Sequence, residues 1–347
     1  MEERGKILVT GGAGFIGSHV AEFYAKKNRE VVVFDNLSRS ELLGGKISDP
    51  LYNWRYLKKY KNIKLVKGDI RDRKALESVA DNADVIFHTA AQTAVTTSLV
   101  NPKVDFEVNA RGTFEVLEAA RKNNSTVIFT STNKVYGENV NKLKIKELKT
   151  RYTFLNSVYK NGVDTNFNID HTGHSPYGDS KLAADIYMQD YAQTYGLKTG
   201  VFRMSCIYGD RQFGVEDQGW VAWFTIAALT NKILTVYGDG KQVRDILFVS
   251  DLISVFDKFI KSNKKHIVLN IGGGPKNTIS LLELLDMLKQ KTGKQPKLRF
   301  SDWRLADQKV YISNIEEAKK TLGWQPKITP SKGLDILISW LSNYFNK

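Results

Sequence analysis

The sequence predicts an α/β fold, a doubly wound parallel sheet followed by a smaller mixed α/β cap, from three observations. Short apolar runs alternate with helical patterns through the first two-thirds of the chain, several of those runs are apolar on both faces, and the rhythm shifts to shorter mixed elements after about residue 207. Strands inside a parallel sheet are covered on both faces, and βα repetition imposes right-handed crossovers. The strand-like runs are 6–10, 30–35, 63–69, 83–89, 126–132 and 199–205, with amphipathic stretches at 14–28, 72–80, 102–122 and 176–195. Beyond 207, helices are expected at 218–230, 251–261, 280–292, 314–322 and 331–345, and strands near 233–237, 244–249, 266–271 and 297–300. The reading gives a first domain at 1–207, joined by the 244–261 segment, and a second at 208–347 packed over the sheet's C-terminal edge. The polar stretch 138–174, rich in Lys, Asn and Thr, fits neither period and is long enough to be a functional insertion or lid.

With 42% hydrophobic and 25% charged residues over 347 positions, the chain suits a folded globular protein rather than a disordered one. A lone cysteine, Cys206, permits no intramolecular disulfide and points to a reducing cytoplasm. No apolar run approaches the ~18 residues of a membrane span, and Met1–Lys6 passes directly into a strand, so neither membrane insertion nor a leader is expected. The 51 Lys and Arg against 37 Asp and Glu give a formal charge of +14, compatible with nucleic acid, a polyanionic ligand or a solvated surface. Because the lysines are scattered, the surface reading leads and no nucleic-acid partner is expected.

Gly11-Gly-Ala-Gly-Phe-Ile-Gly17 follows the first strand and opens the first helix. Gly11, Gly14 and Gly17 permit a tight turn and close approach to a pyrophosphate, while the helix start at Phe15 and Ile16 offers backbone donors. Asp35, 18 residues after Gly17, closes the second strand. Its carboxylate suits ribose hydroxyls and repels a 2′-phosphate, favouring NAD over NADP, although nearby Arg39 leaves NADP open. Asn36 and Ser38 flank it, and Asp69, Ile70, Ala90, Ala91, Gln92 and Thr130 stand where a Rossmann-type sheet lines a dinucleotide crevice.

Tyr177 and Lys181 are four residues apart, hence on one helix face. A phenol with a pKa of about 10 is a poor base at neutral pH. A cation one turn away, with the positive ring of an oxidised nicotinamide, would lower that pKa. Thr132, ending the fifth strand, can bond the same substrate oxygen, which completes a Thr/Tyr/Lys hydride-transfer group that also borders the cofactor.

These motifs, with Ser131-Thr132 before Val135-Tyr136-Gly137, resemble the extended short-chain dehydrogenase/reductase family of NAD-dependent nucleotide-sugar epimerases and dehydratases, over essentially the whole chain. Gly240–Asp245 and Arg304–Asp307 match its arginine-bearing diphosphate motifs, which implies Arg244 and Arg304 as phosphate ligands. Ser131–Gly137, Gln92 with Thr96–Ser98, Arg151–Thr153, His174–Gly178, Arg211–Phe213 and Asp217–Trp220 are similar to its CDP-tyvelose (CDP-paratose) 2-epimerase subgroup. The resemblance implies Gln92, Ser98, Thr132, Asn133, Lys134, His174, Ser205 and Arg211 as sugar or nucleotide contacts. It also implies a CDP-linked hexose as substrate, cytoplasmic deoxysugar synthesis for lipopolysaccharide O-antigen, and a homodimer or homotetramer built on helices 102–122 and 176–195. His171 and His174 lack clustered carboxylates, so no metal is assigned.

Dehydratases of this family carry an Asp-Glu pair directly after the threonine; here Asn133 and Lys134 stand there, which removes the obvious elimination route. Reversible oxidation of a sugar hydroxyl remains. Oxidation at C4 acidifies only C3 and C5, so a 2-epimerase needs oxidation at C2 itself or at C3 with enolisation, and the resemblance implies C2. The alternatives are a UDP-sugar 4-epimerase using the same residues and a non-catalytic cofactor-sensing protein, although the latter would be expected to lack Tyr177 and Lys181.

Overall fold

The computed structural model describes residues 5–346; residues 1–4, read above for a leader, lie outside them. The first half holds β1 (Lys6–Thr10), α1 (Phe15–Ala25), β2 (Glu30–Asp35), α2 (Arg39–Leu42), α3 (Tyr52–Leu57), β3 (Ile63–Lys67), α4 (Arg73–Ala80) and β4 (Ala83–His88). There follow α5 (Val95–Val100), α6 (Pro102–Asp105), α7 (Gly112–Asn123), β5 (Thr126–Thr132), β6 (Ile145–Glu147), β7 (Tyr152–Phe154) and α8 (Ser175–Tyr195). Next come β8 (Thr199–Met204), β9 (Cys206–Tyr208), α9 (Trp220–Leu229), β10 (Ile233–Tyr237), β11 (Val243–Phe248), α10 (Val249–Lys261) and β12 (His266–Ile271). The chain ends with β13 (Thr278–Ser280), α11 (Leu281–Thr292), β14 (Lys297–Ser301), β15 (Val310–Tyr311), α12 (Glu316–Leu322) and α13 (Pro330–Phe345).

Two compact units emerge, each drawn from three chain segments rather than divided near 207. One holds the residues up to Val135, Ser175–Arg203 and Ile253–Leu269; the other holds Tyr136–His174, Met204–Leu252 and the chain from Asn270 onward. The first is built on a seven-stranded sheet ordered β12-β8-β5-β4-β1-β2-β3. Its β1–β2, β1–β4, β2–β3 and β4–β5 pairs are parallel. Strand order reverses beside β1, the switch point where such sheets open a ligand crevice. The apolar run Val31-Val-Val-Phe34 explains β2, since all four side chains are buried, and Leu8, Phe34, Ile86, Val127, Phe129 and Met188 share one core cluster. The 266–271 strand, read with the cap's elements, is the edge strand of this sheet.

The expected 102–122 helix is present from Pro102 to Asn123, helical throughout, but it is not uniform. Between α6 and α7 the residues Phe106–Arg111 form a π turn. Asn109 lies inside it with its side chain engaged by distant groups, and at Gly112 a Cβ would sit 2.5 Å from Ile70 Cδ1, so helix and side chain approach closely there. Elsewhere the helix ends follow local chemistry: Asp72 caps α4 through Ala75 N–H at 3.1 Å, and α11 carries a Ser280/Glu283 capping box with Gly293 left-handed at its end.

The second unit contains smaller sheets. β11 pairs with β9, β13 and β15, and β10 pairs with β14. The 138–174 stretch, expected as a functional insertion or lid, belongs to this unit. Its β6–β7 hairpin is tied down by Arg151 on Glu283, Tyr152 OH on Asp239, Lys241 on Glu147 and Ser280 Oγ on the Thr150 carbonyl.

Candidate active site

The glycine turn is shaped by close backbone contact. Gly11 has φ +68°, and a Cβ there would lie 2.5 Å from Ala90 N; a Cβ on Gly17 would lie 2.5 Å from Gly11 O. Gly14 is the N-cap of α1 and brings no side-chain cap, so the first-turn N–H groups at Phe15 and Ile16 keep their donor capacity toward an anion. Asp35 accepts Ala13 N–H at 2.9 Å and Leu37 N–H at 2.8 Å, and burial raises its carboxyl above the usual range. Asn36 bridges Asp69 (2.9 Å) and Ser38 (Oγ at 2.7 Å). Arg71 holds Asp69 with paired bonds of 2.9 and 2.7 Å, keeping that carboxyl well below the usual range. Ile70 is buried in the core, and burial pushes Arg39 down to about 10. The uncapped helix start, the glycine cradle and an acid at the end of β2 fit a dinucleotide pyrophosphate and ribose.

Thr132 at the end of β5 and the start of α8 bring the reactive group together. Tyr177 shares a hydrogen bond with Thr132, and the Thr132 hydroxyl oxygen also accepts Lys134 N–H at 3.2 Å. Asn133 Oδ1 lies 3.4 Å from the same hydroxyl. Burial pushes the Tyr177 phenol up to about 12, with Thr132 pulling the other way, so the phenol stands above its ordinary value, opposite to the lowering expected from Lys181. Lys181 is buried with its ammonium 4.1 Å above the Phe129 ring; burial brings it down to about 7 while Asp185, one turn on, opposes that fall. Asp185 is held by Arg203 (3.0 Å) and by Ser131 Oγ (2.6 Å). The i+4 spacing from Lys181 is the sequence signal that would have found Asp185; for Arg203 and Ser131 no such local signal exists.

Three residues read as ligand contacts have protein partners for their side chains. Gln92 spends its amide on Asp105 (2.9 Å) and on both backbone groups of Ala94, Ser98 Oγ donates to Val95 O at 2.7 Å, and Thr130 Oγ1 donates to His88 O at 3.1 Å. In each case the polar side chain satisfies nearby backbone or a buried acid.

The second unit holds the arginines. Arg244 Nη2 donates to Asp307 Oδ1 at 2.6 Å, and Arg304 reaches Asp217 Oδ1 at 3.3 Å with its guanidinium 3.9 Å over the Tyr237 ring. Within this unit a cavity of about 370 Å³ is lined by Val140, Asn141, Leu143, Trp303, Arg304 and Asp307 among others. Ser205 Oγ bonds Asp245 O at 2.9 Å, Arg211 is buried with φ +58°, and His174 packs against Gly137. Cys206 Sγ accepts the Trp220 indole N–H at 3.2 Å. Among the described residues no group of three His, Cys, Asp or Glu side chains is placed to hold a metal, and no helix is long and apolar enough to cross a membrane.

The profile of the GDP-mannose 4,6 dehydratase family matches residues 8–337. The chain belongs to this family of NAD-dependent epimerases and dehydratases. It is 40% identical over 349 residues to CDP-paratose 2-epimerase of Salmonella typhi, covering 97% of this chain and 99% of that protein. Its fold is similar to UDP-glucose 4-epimerase of Thermotoga maritima with UDP-glucose (TM-score 0.78, 30% identity, 98% and 99% of the chains). The UDP-glucose 4-epimerase of Thermus thermophilus in complex with NAD is equally close in fold (TM-score 0.78, 28% identity, 97% and 99%). The two positions after Thr132 are Asn133 and Lys134, so no carboxylate follows the threonine directly.

Proposed function

We propose that the protein is an NAD-dependent nucleotide-sugar 2-epimerase that inverts C2 of a CDP-linked hexose of the CDP-paratose type through a transient 2-keto sugar. The observation that carries the reading is the Thr132–Tyr177–Lys181 group beside a carboxylate-free Asn133-Lys134 step: a redox site without an elimination acid. Full-length likeness to a CDP-paratose 2-epimerase supports the carbon and the nucleotide. NAD supplies reversible hydride acceptance there. Thr132 holds the sugar hydroxyl, Tyr177 takes its proton as hydride leaves C2, and Lys181 favours the phenolate. The keto-sugar turns, and Tyr177 returns the proton when hydride re-enters the opposite face, so net redox is zero. Arg244 and Arg304 take the substrate diphosphate, each exchanging an internal carboxylate for phosphate oxygens.

The enzyme acts as a cytoplasmic homodimer or homotetramer in deoxysugar supply. Val100, Phe106, Phe114, Ile186, Tyr187 and Tyr195 expose large apolar groups on α5, the π turn, α7 and α8, with Phe114 edge-on to Tyr187 at 5.9 Å, which supports a self-association face there. Incubation with CDP-, UDP-, GDP- and dTDP-hexoses, read by NMR, tests the reading: C2 inversion is expected, and inversion at C4 alone would overturn it. The second reading, a UDP-sugar 4-epimerase, draws on the Thermotoga likeness. In deuterated water the sugar C2 should stay protiated, since enolisation would place deuterium there.

A further inference from the structure

Asp105, the last residue of α6, has no accessible surface. Its Oδ2 accepts Gln92 Nε2 at 2.9 Å, while Oδ1 has no hydrogen-bond partner among the described residues. Burying a carboxyl with one partner is costly, and an amide or leucine would fill similar space, so the acid calls for a reason beyond packing. A chain of short bonds leads from it to the reactive helix. Gln92 N–H donates to Asn109 Oδ1 (2.9 Å), and Asn109 Nδ2 donates to Gln92 O (3.0 Å) and to Ser180 Oγ (3.0 Å). Ser180 Oγ in turn donates to the carbonyl of Tyr177 at 2.9 Å. The π turn places Asn109 at the centre of this chain, joining the loop after β4 to the first turn of α8.

We propose that Asp105 is a positioning residue for Tyr177, acting through the Gln92–Asn109–Ser180 chain and through its own buried charge; this rests on the epimerase reading above only for its consequence in turnover. Burial raises the Asp105 carboxyl to about 6, so it is ionised where Tyr177 titrates, and its anion opposes the phenolate. The other titratable groups on the elements packed around it are Lys103 on α6, the Glu107–Arg111 ion pair on the π turn, and Asp179, Lys181, Asp185, Tyr187, Asp190, Tyr191 and Tyr195 beside Tyr177 on α8. Tyr177 is the one whose ionisation Asp105 opposes.

The test reads Tyr177 directly. In NAD-saturated protein labelled with ¹³Cζ-tyrosine, the Tyr177 resonance is assigned by its absence in Tyr177→Phe and titrated in wild type and Asp105→Asn. Asparagine keeps an acceptor for Gln92 and removes the charge, so the Tyr177 pKa should fall by about 1 unit. A value within about 0.2 unit of wild type would overturn the electrostatic role. Ser180→Ala retains every charge and cuts the link to the Tyr177 carbonyl: kcat should fall roughly 10-fold with KM nearly unchanged, and an unchanged kcat would overturn the positional role. Asp105→Ala should combine both effects, and if it does not fold, the two conservative variants decide. The titration needs no turnover, so absence of epimerase activity in wild type would refute the proposed reaction separately.

Discussion

The reactive group of the first unit and the arginines of the second are held in different ways. Thr132, Tyr177 and Lys181 sit on the end of β5 and the first turns of α8, regular elements fixed by backbone bonds and by the buried Asp185–Arg203 pair. Arg244 and Arg304 instead hold carboxylates of their own unit, Asp307 and Asp217. A group locked by its scaffold is ready for chemistry, whereas a guanidinium that must trade one anion for another tunes affinity. The first should therefore appear in kcat and the second in KM.

The most severe break falls on the locked group. Tyr177→Phe removes the proton acceptor and keeps the ring, so kcat should drop by about 10³ while NAD stays bound, measured by NMR of product and by mass spectrometry of bound cofactor. Retained turnover would remove Tyr177 from the chemistry. Next in size, Asp185→Asn removes the carboxylate that Arg203 holds in the core. Breaking such a pair costs about 3–5 kcal/mol, so denaturant melts should show a clear loss of stability. Loss of the carboxylate should also take Lys181 further below 7, since Asp185 is what holds it up, and activity near neutral pH should then fall as Lys181 loses its charge. A profile that keeps its neutral plateau would show that Lys181 does not need Asp185.

How far these regions were legible follows from where their partners lie. The large sheet was legible because buried parallel strands must be continuously apolar, as in Val31–Phe34, and the Tyr177–Lys181 pair was legible because four residues span one helical turn. The π turn was not. Phe106-Glu-Val-Asn-Ala-Arg111 keeps a helical composition, and the Asn109 amide within the turn is engaged by Gln92 and by Ser180, 71 residues away. The bond of Gln92 to Asp105 was hidden for a similar reason, since the two lie 13 residues apart on different elements. The β6–β7 hairpin was unreadable because two three-residue strands in a lysine-rich stretch carry almost no alternation, and its fasteners, Asp239 and Glu283, come from far along the chain.

Smaller effects sharpen the contrast on the exchangeable side. Arg244→Ala should raise KM for the nucleotide sugar by roughly 10–100-fold, the worth of about 1.5–3 kcal/mol for hydrogen bonds to a charged group, with kcat changed far less. Equal loss in kcat would place Arg244 in the reactive group instead. Asp307→Asn frees Arg244 from its internal partner, so substrate should bind at least as tightly as in wild type.

The smallest expected effect is at the hairpin. Arg151 donates through Nε to Glu283 Oε1 at 2.7 Å and through Nη1 to Thr278 Oγ1 at 3.0 Å, but both ends of the ion pair keep about a quarter of their side-chain surface exposed, 29% and 23%. Solvent screens such a pair, and its worth is about 0.5–1 kcal/mol. Arg151→Ala should therefore lower the melting temperature by only a few degrees and leave kcat untouched. Tyr152 OH on Asp239 and Ser280 Oγ on Thr150 O still hold the strands. If Arg151→Ala instead cut kcat severely at unchanged stability, the hairpin would have to be counted with the reactive group, and the division between a locked and an exchangeable region would fail.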